Sequence, residues 1–175
     1  VGGDTRHAEQ PELALLAACT EKTRLMAIST VHFAVGLRLD LQVLSNACRE
    51  RGILLCLDAI QSLGAVPFDV QATPADFVVA DGHKWMLGPE GVALFYVNPA
   101  IRDTLTLTQF GWAMLEDAGD YSATTWQAAR SARRFECGSP NTIGIQVLNQ
   151  SLGLLQEVGW EVIESHLRQN VEYLR

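Results

Sequence analysis

Residues 75–97 read ADFVVADGHKWMLGPEGVALFYV, and the organisation of the chain can be worked out from them. Phe77, Val78 and Val79 form a short apolar run suited to a buried strand, and residues 92–97 form a second, rich in β-branched and aromatic side chains. Between the runs lies a loop carrying Asp81, His83 and Lys84, closed by Gly88-Pro89 and Gly91. Glycine there permits backbone angles and close approaches that a Cβ would forbid. Too few residues intervene for a parallel crossover, so the second strand is expected to return antiparallel to the first. Spacing alone leaves two readings of Lys84 beside His83: a solvated loop cation next to a turn residue, or an amine held for chemistry.

Upstream, residues 53–57 (ILLCL) are continuously apolar, as in a central strand of a parallel sheet. A helix is expected before them. Asp40 is its N-cap candidate, Leu41, Leu44 and Cys48 its apolar face and Gly52 its end, with no capping box because Val43 stands at the reciprocal position. Asp58 closes the strand, and Lys84 follows the carboxyl end of the next one; in open α/β sheets that edge is where ligands bind. Their side chains can therefore meet in one crevice although 26 positions separate them. Further back, residues 25–29 read as a strand, residues 12–20 as a short helix using Leu13, Leu16 and Ala17, and residues 30–39 as a connection turning at Gly36. Residues 1–6 read as loop.

Downstream, residues 98–132 are weakly patterned, as expected of a functional loop or packing arm. After Asn141 a helix is expected with Ile143, Val147, Leu148, Leu152 and Leu155 on a broad apolar face, ending near Gly159. A second helix, from Trp160, would use Val162, Ile163, Leu167 and Val171. Helices alternating with strands give an α/β fold: a mixed, mostly parallel sheet flanked by helices.

The 175 residues suffice for one domain with a sizeable core, and 48% hydrophobic against 19% charged residues argues for a packed globular chain. A net charge of -7 disfavours nonspecific binding to nucleic acid or to an anionic membrane. No apolar segment is long enough to span a bilayer and no signal-peptide pattern opens the chain, so a cytoplasmic protein is expected. Cys19, Cys48, Cys56 and Cys137 form no CxxC pair or metal-like cluster, which makes core packing their expected role and leaves no metal site.

Several ordered blocks together resemble the class V aminotransferases, the pyridoxal-phosphate group that includes cysteine desulfurases, kynureninase and isopenicillin epimerases. They are Asp58-Ala59-Ile60-Gln61-Ser62-Leu63-Gly64, Asp76-Phe77, Gly82-His83-Lys84-Trp85 and Gly88-Pro89-Glu90-Gly91. Arg24-Leu25-Met26-Ala27-Ile28-Ser29 is similar to the family's strand ahead of the cofactor region, and Arg134-Phe135-Glu136-Cys137-Gly138-Ser139-Pro140-Asn141 to its later phosphate-side loop. The resemblance implies part of the large domain of an aspartate aminotransferase-like fold over residues 1–158, with residues 159–175 leading toward a small domain. It implies a longer enzyme, with the glycine-rich phosphate loop before Val1 and most of the small domain after Arg175.

The resemblance also implies chemistry. Pyridoxal 5'-phosphate needs an amine for its aldehyde, an anion for its ring nitrogen, and donors for its ring oxygen and phosphate. By resemblance Lys84 is the Schiff-base lysine and later the acid–base group at the substrate's α-carbon, and Asp58 is the partner of the ring nitrogen. Gln61 is similar to the donor to the ring hydroxyl oxygen, His83 to the histidine that touches the phosphate or shapes the pocket, and Ser139 to the hydroxyl that reaches a phosphate across a homodimer interface. From the residues alone, Asp58 reads equally as a turn aspartate, Gln61 as a surface glutamine and His83 as a structural histidine. Two positions depart from the desulfurase pattern. Asp81 replaces a phosphate-binding serine, so it is expected to point away or to pair with a cation; Phe33 replaces an asparagine near the ring. Both favour an aminotransferase or epimerase/lyase-like reaction on an amino acid over cysteine desulfuration. Arg38 and Arg134 are candidate anion contacts or surface pairs, and Cys137 is not assigned as a sulfur carrier. The rival readings are a nucleotide-binding domain, disfavoured by the absence of GxGxxG and Walker patterns, and a catalytically incomplete fragment or pseudoenzyme with a structural role.

Overall fold

Three strands run parallel and a fourth turns back. In the computed structural model, which describes residues 8–174, β1 (Leu25–Ser29), β2 (Leu54–Asp58), β3 (Phe77–Asp81) and β4 (Ala93–Val97) form one sheet in that spatial order. The first three pair parallel, and β4 pairs antiparallel to β3, as the short loop between them requires. The loop expected over residues 1–6 lies outside the described residues.

Strand alternation divides the sheet into two unlike faces. Register places Met26 beside Leu55, and Leu57 beside Val78. These four and Ala80 are buried and join Leu44 and Cys48 of α2 (Leu41–Glu50), Leu16 of α1 (Pro11–Ala17) and Leu148 of α4 (Thr142–Val158) in one core. Each such buried leucine contributes about 1.5–3 kcal/mol relative to solvent exposure. The opposite face carries Ala27, Ser29, Val79 and Phe95, all exposed, with Phe135 set edge-on to Phe95. Ser29, Asp58 and Val79 lie level across the three parallel strands, and alternation directs Asp58 and Asp81 to this open face.

The path into β2 is fixed by the ends of α2. Asp40 Oδ1 accepts the Gln42 and Val43 amides at 3.0 and 3.2 Å, and Glu12 Oε1 accepts the Asp40 amide at 2.6 Å, tying α1 to the start of α2. At the other end Gly52, with φ +64, lets its own amide reach Arg49 O at 3.2 Å and that of Ile53 reach Cys48 O at 2.9 Å. This is a Schellman closure, which sends the chain straight into β2.

Several expectations needed correction. The first helix is shorter than residues 12–20, and its Leu13 is exposed. On α4 the buried stripe is Gly144, Leu148 and Leu155 with Leu152 half-buried, while Ile143 is 80% exposed and Val147 is exposed. Each lies one residue before Gly144 or Leu148, so the helix turns it about 100° away from the sheet. On α5 (Trp160–Tyr173) no residue is fully buried: Ile163 and Leu167 are half-buried, Val162 and Val171 exposed. Of the four cysteines only Cys48 is fully buried; Cys19, Cys56 and Cys137 are half-buried, and all four are free thiols. Residues 98–132 hold more order than their pattern suggested. They contain a short helix, α3 (Pro99–Arg102), and a 3-10 turn, Trp112–Met114, anchored by fully buried Met114 and a bridge from Leu115 to Ala128.

Candidate functional site

Three connections leave the carboxyl edge of the parallel strands and lock together there. β1 continues into Thr30, whose amide donates to Asp58 O at 2.9 Å; β2 continues into Ala59, whose amide donates to Val79 O at 2.8 Å. Buried beneath them, Thr30 Oγ1 lies 2.7 Å from Ser62 Oγ, 3.3 Å from Asp58 O, and Ser62 Oγ lies 3.2 Å from Ala59 O. Two hydroxyl hydrogens serve three contacts, so the pair shares its donors and ties the first two connections together. Nothing in the local sequence had singled out either hydroxyl, because the contact joins positions 32 residues apart.

Asp58 is held from both sides. Its Oδ1 accepts the Ile60 amide at 3.0 Å, an Asx-type turn that starts the connection, and its Oδ2 takes a long 3.4 Å bond from Ser29 Oγ. The half-buried carboxylate therefore keeps acceptor capacity on the open side. Its charge also acts on Cys56, two residues back on the same face: burial first, and Asp58 second, push that thiol up from its ordinary value. Cys56 thus stays a neutral thiol and not a thiolate nucleophile.

The loop after β3 is closed on itself. Gly82 N donates to Val92 O at 2.8 Å, Gly88 N to Gly82 O at 2.9 Å and Leu87 N to Lys84 O at 3.0 Å. Leu87 sits at φ +58, a conformation that costs a branched residue about 1–2 kcal/mol and persists only where its surroundings hold it. Lys84 is half-buried, and among the described residues its ammonium has no hydrogen-bond or ion-pair partner. His83 Nδ1 stands 3.2 Å from Asp81 Oδ1 without hydrogen-bond alignment, so that buried oxygen lacks a donor among the described residues.

This loop is joined to the one after β2. Trp85 Nε1 donates to Gln61 Oε1 at 3.2 Å, and a Cβ on Gly64 would sit 2.2 Å from Trp85 O. The loop of Ser139 is tied in by Asn141, whose Nδ2 donates to Gly91 O at 3.1 Å while its Oδ1 caps α4 through Gly144 N at 3.0 Å. The structure therefore gathers the loops of Asp58, Gln61, His83 and Lys84 at one sheet edge. Ser139 is exposed, with no hydrogen bond to that group among the described residues. Phe33 is 79% exposed on the connection after β1, stacked on His32 with ring centroids 5.2 Å apart. The two candidate arginines have carboxylate partners: Arg38 pairs with Glu164 at 2.6 Å, and Arg134 with Asp103. No three His, Cys, Asp or Glu side chains among the described residues gather as a metal site.

The donor set can be tested against the group that the resemblance implies. A carboxylate with spare acceptor capacity, an amide whose NH2 faces no partner among the described residues, and an unpaired amine occupy adjoining loops at the ligand edge of a parallel sheet. A cationic heterocycle bearing an aldehyde and a phenolic oxygen fits those three groups.

Comparison with known proteins gives the family. The class V aminotransferase family model matches residues 5–175. A probable cysteine desulfurase of Borreliella burgdorferi is 30% identical over 155 residues, 88% of this chain and 36% of that protein. Among solved structures, an apo cysteine desulfurase from Thermococcus onnurineus NA1 superposes with a TM-score of 0.82 at 24% identity, over 99% of this chain and 42% of that one. A mutant of C-DES with glycine covalently linked to its PLP cofactor superposes with a TM-score of 0.65 at 25% identity, over 90% of this chain and 39% of that one. The chain thus spans well under half the length of these relatives. With the family model matched over nearly every residue and the site blocks in order along one sheet edge, the chain belongs to the class V aminotransferases.

Proposed function

We propose that this chain supplies the ring- and lysine-bearing part of a pyridoxal-phosphate enzyme acting on an amino acid. When bound, the cofactor supplies an electron sink for charge developing at the substrate's α-carbon. Lys84 would hold the cofactor through Nζ, and its amine would be the group that moves a proton at the substrate's α-carbon. Asp58 would hold the ring nitrogen and favour its protonated form by opposite charge. Gln61 offers an amide N–H to the ring oxygen. His83 would meet the phosphate or shape its pocket, and Ser139 would offer its hydroxyl to a phosphate across a homodimer interface. The family's pyridoxal-phosphate chemistry and the glycine adduct of C-DES support the cofactor and an amino-acid substrate. No helix among the described residues is long and apolar enough to cross a membrane, and a cytoplasmic location belongs to the same proposal.

The observation that carries this reading is the unpartnered Lys84 in a loop clamped against the loop of Asp58 and Gln61. The test is to add pyridoxal phosphate to the complete protein, follow the visible absorption band, reduce with borohydride and map the modified peptide. Modification at Lys84 is the expected outcome. A bound cofactor attached to no lysine, or no band at all, sinks the proposal; the latter result would favour a structural role for the chain.

The reaction type has two readings. Transamination or epimerase/lyase-like chemistry is favoured by Asp81 and Phe33, neither of which offers the hydrogen bond of the desulfurase pattern. Cysteine desulfuration is favoured by the similarity to the probable cysteine desulfurase of Borreliella. An amino-acid panel scored for keto acid, sulfide and racemised product separates them.

A further inference from the structure

Trp85 follows Lys84 directly and is 41% exposed, so packing gives little reason for an indole there. Its Nε1–H meets Gln61 Oε1 at 3.2 Å. An indole nitrogen can only donate, so it admits only the oxygen end of the Gln61 amide. A flipped amide would set two donors face to face. The contact therefore removes the two-fold ambiguity of a glutamine side chain and leaves its NH2 as the outward group. Backbone contact fixes the separation of the two loops: a Cβ on Gly64 would lie 2.2 Å from Trp85 O and 2.7 Å from Met86 N. Gly64 has φ +95, a conformation open to glycine and strained for other residues. The indole and the amide are thus held in register by rigid main chain, without relying on their own side-chain freedom.

We infer that Trp85 is a positioning residue: it commits Gln61 to act as a hydrogen-bond donor toward the phenolic oxygen of pyridoxal phosphate and couples that donor to the loop of Lys84. The inference rests on the cofactor reading above. It assigns Trp85 no contact with the cofactor; its effect passes through Gln61. A ring oxygen deprived of its outside donor holds a proton shared with the Lys84 nitrogen more tightly, so losing the indole N–H moves the pH midpoint of the visible band upward.

The test is a double-mutant cycle in the complete protein, with wild type, Trp85→Phe, Gln61→Ala and the double variant. Trp85→Phe keeps an aromatic ring and removes only the donor and the second ring. Each protein is titrated with pyridoxal phosphate, its visible band is followed against pH, and its Tm is measured. One net hydrogen bond lost corresponds to about a five-fold weaker cofactor affinity. Trp85→Phe is expected to show that loss and a raised midpoint, and to add neither to Gln61→Ala. An unchanged midpoint in Trp85→Phe overturns the inference, whether or not Tm falls. So does a shift of equal size in the Gln61→Ala background. A wild type with no visible band overturns the cofactor reading itself, a result distinct from a defect confined to Trp85→Phe.

Discussion

Asp58 is small enough to be replaced without disturbing its surroundings. An asparagine at this position would keep the oxygen that accepts the Ile60 amide and lose the charge. Asp58→Asn is therefore expected to leave Tm nearly unchanged while weakening pyridoxal-phosphate binding about 10- to 100-fold, the worth of one charge-assisted bond. Equal affinity in a titration would remove Asp58 from the proposed site. Two thiols give a second check at this scale. Burial pushes Cys48 and Cys56 up from the ordinary thiol value; Cys19 adds to the shift of Cys48, and Asp58 to that of Cys56. In the folded protein both should react with iodoacetamide at neutral pH at least about tenfold more slowly than in urea, by peptide mass spectrometry. Fast alkylation of Cys56 would contradict the neutral thiol assigned to it beside Asp58.

The loops and helix ends are the next scale, and two glycines separate conformation from space. Gly52 has φ +64 with nothing within 4 Å of where its Cβ would go. Gly52→Ala should cost only the left-handed penalty, about 1–2 kcal/mol in a denaturant midpoint. Gly64 combines φ +95 with a backbone oxygen 2.2 Å from where a methyl carbon would sit, and main chain cannot step aside as a side chain can. Gly64→Ala should cost about 3 kcal/mol or more and loosen the Lys84 loop against the Gln61 loop. Equal costs at the two positions would show that the loops are not in rigid contact. Gly52 reads from the sequence as a helix end and Gly64 stands in one of the family blocks, yet the difference between them is not legible there: the neighbour that crowds Gly64 comes from 21 positions further along the chain.

At the scale of the whole molecule, α5 is docked by one ion pair to Arg38 and by the partial burial of Ile163 and Leu167. Glu164 takes Arg38 at 2.6 Å and Arg168 at 2.8 Å, and these bonds, Arg168 first, hold its carboxyl below the ordinary value of 4.5. A depressed folded-state pKa gives stability that is complete above the unfolded value and is lost as pH falls through the folded one. Amide exchange in α5 should accordingly accelerate below about pH 4.5 ahead of exchange in the sheet, and in high salt as well. Protection in α5 that ignores both would show that Ile163 and Leu167 carry the docking instead. The open sheet face and the outer faces of α4 and α5 leave Phe95, Ile143, Val147, Val162 and Val171 in solvent. The 175-residue chain alone should therefore associate with rising concentration in analytical ultracentrifugation. A monodisperse monomer would show that these side chains are dispersed too widely to pair.

The sequence by itself determined what depends on near neighbours along the chain. Strand runs at residues 25–29, 53–57 and 77–79, the Asp40 cap, the Gly52 stop and the antiparallel return after Lys84 all follow from steric and hydrogen-bonding rules that act within a few residues. The ordered blocks around Asp58 and Lys84 carried the family by resemblance, and the match over residues 5–175 bears that out. Only the tertiary structure decided which sheet face stays open, which side of α4 turns inward, and how Thr30 meets Ser62 and Trp85 meets Gln61. The two side-chain contacts join positions 32 and 24 apart, and the other outcomes depend on register and packing between segments equally removed from local rules, where a half-turn of helix or one step of strand reverses what a side chain faces.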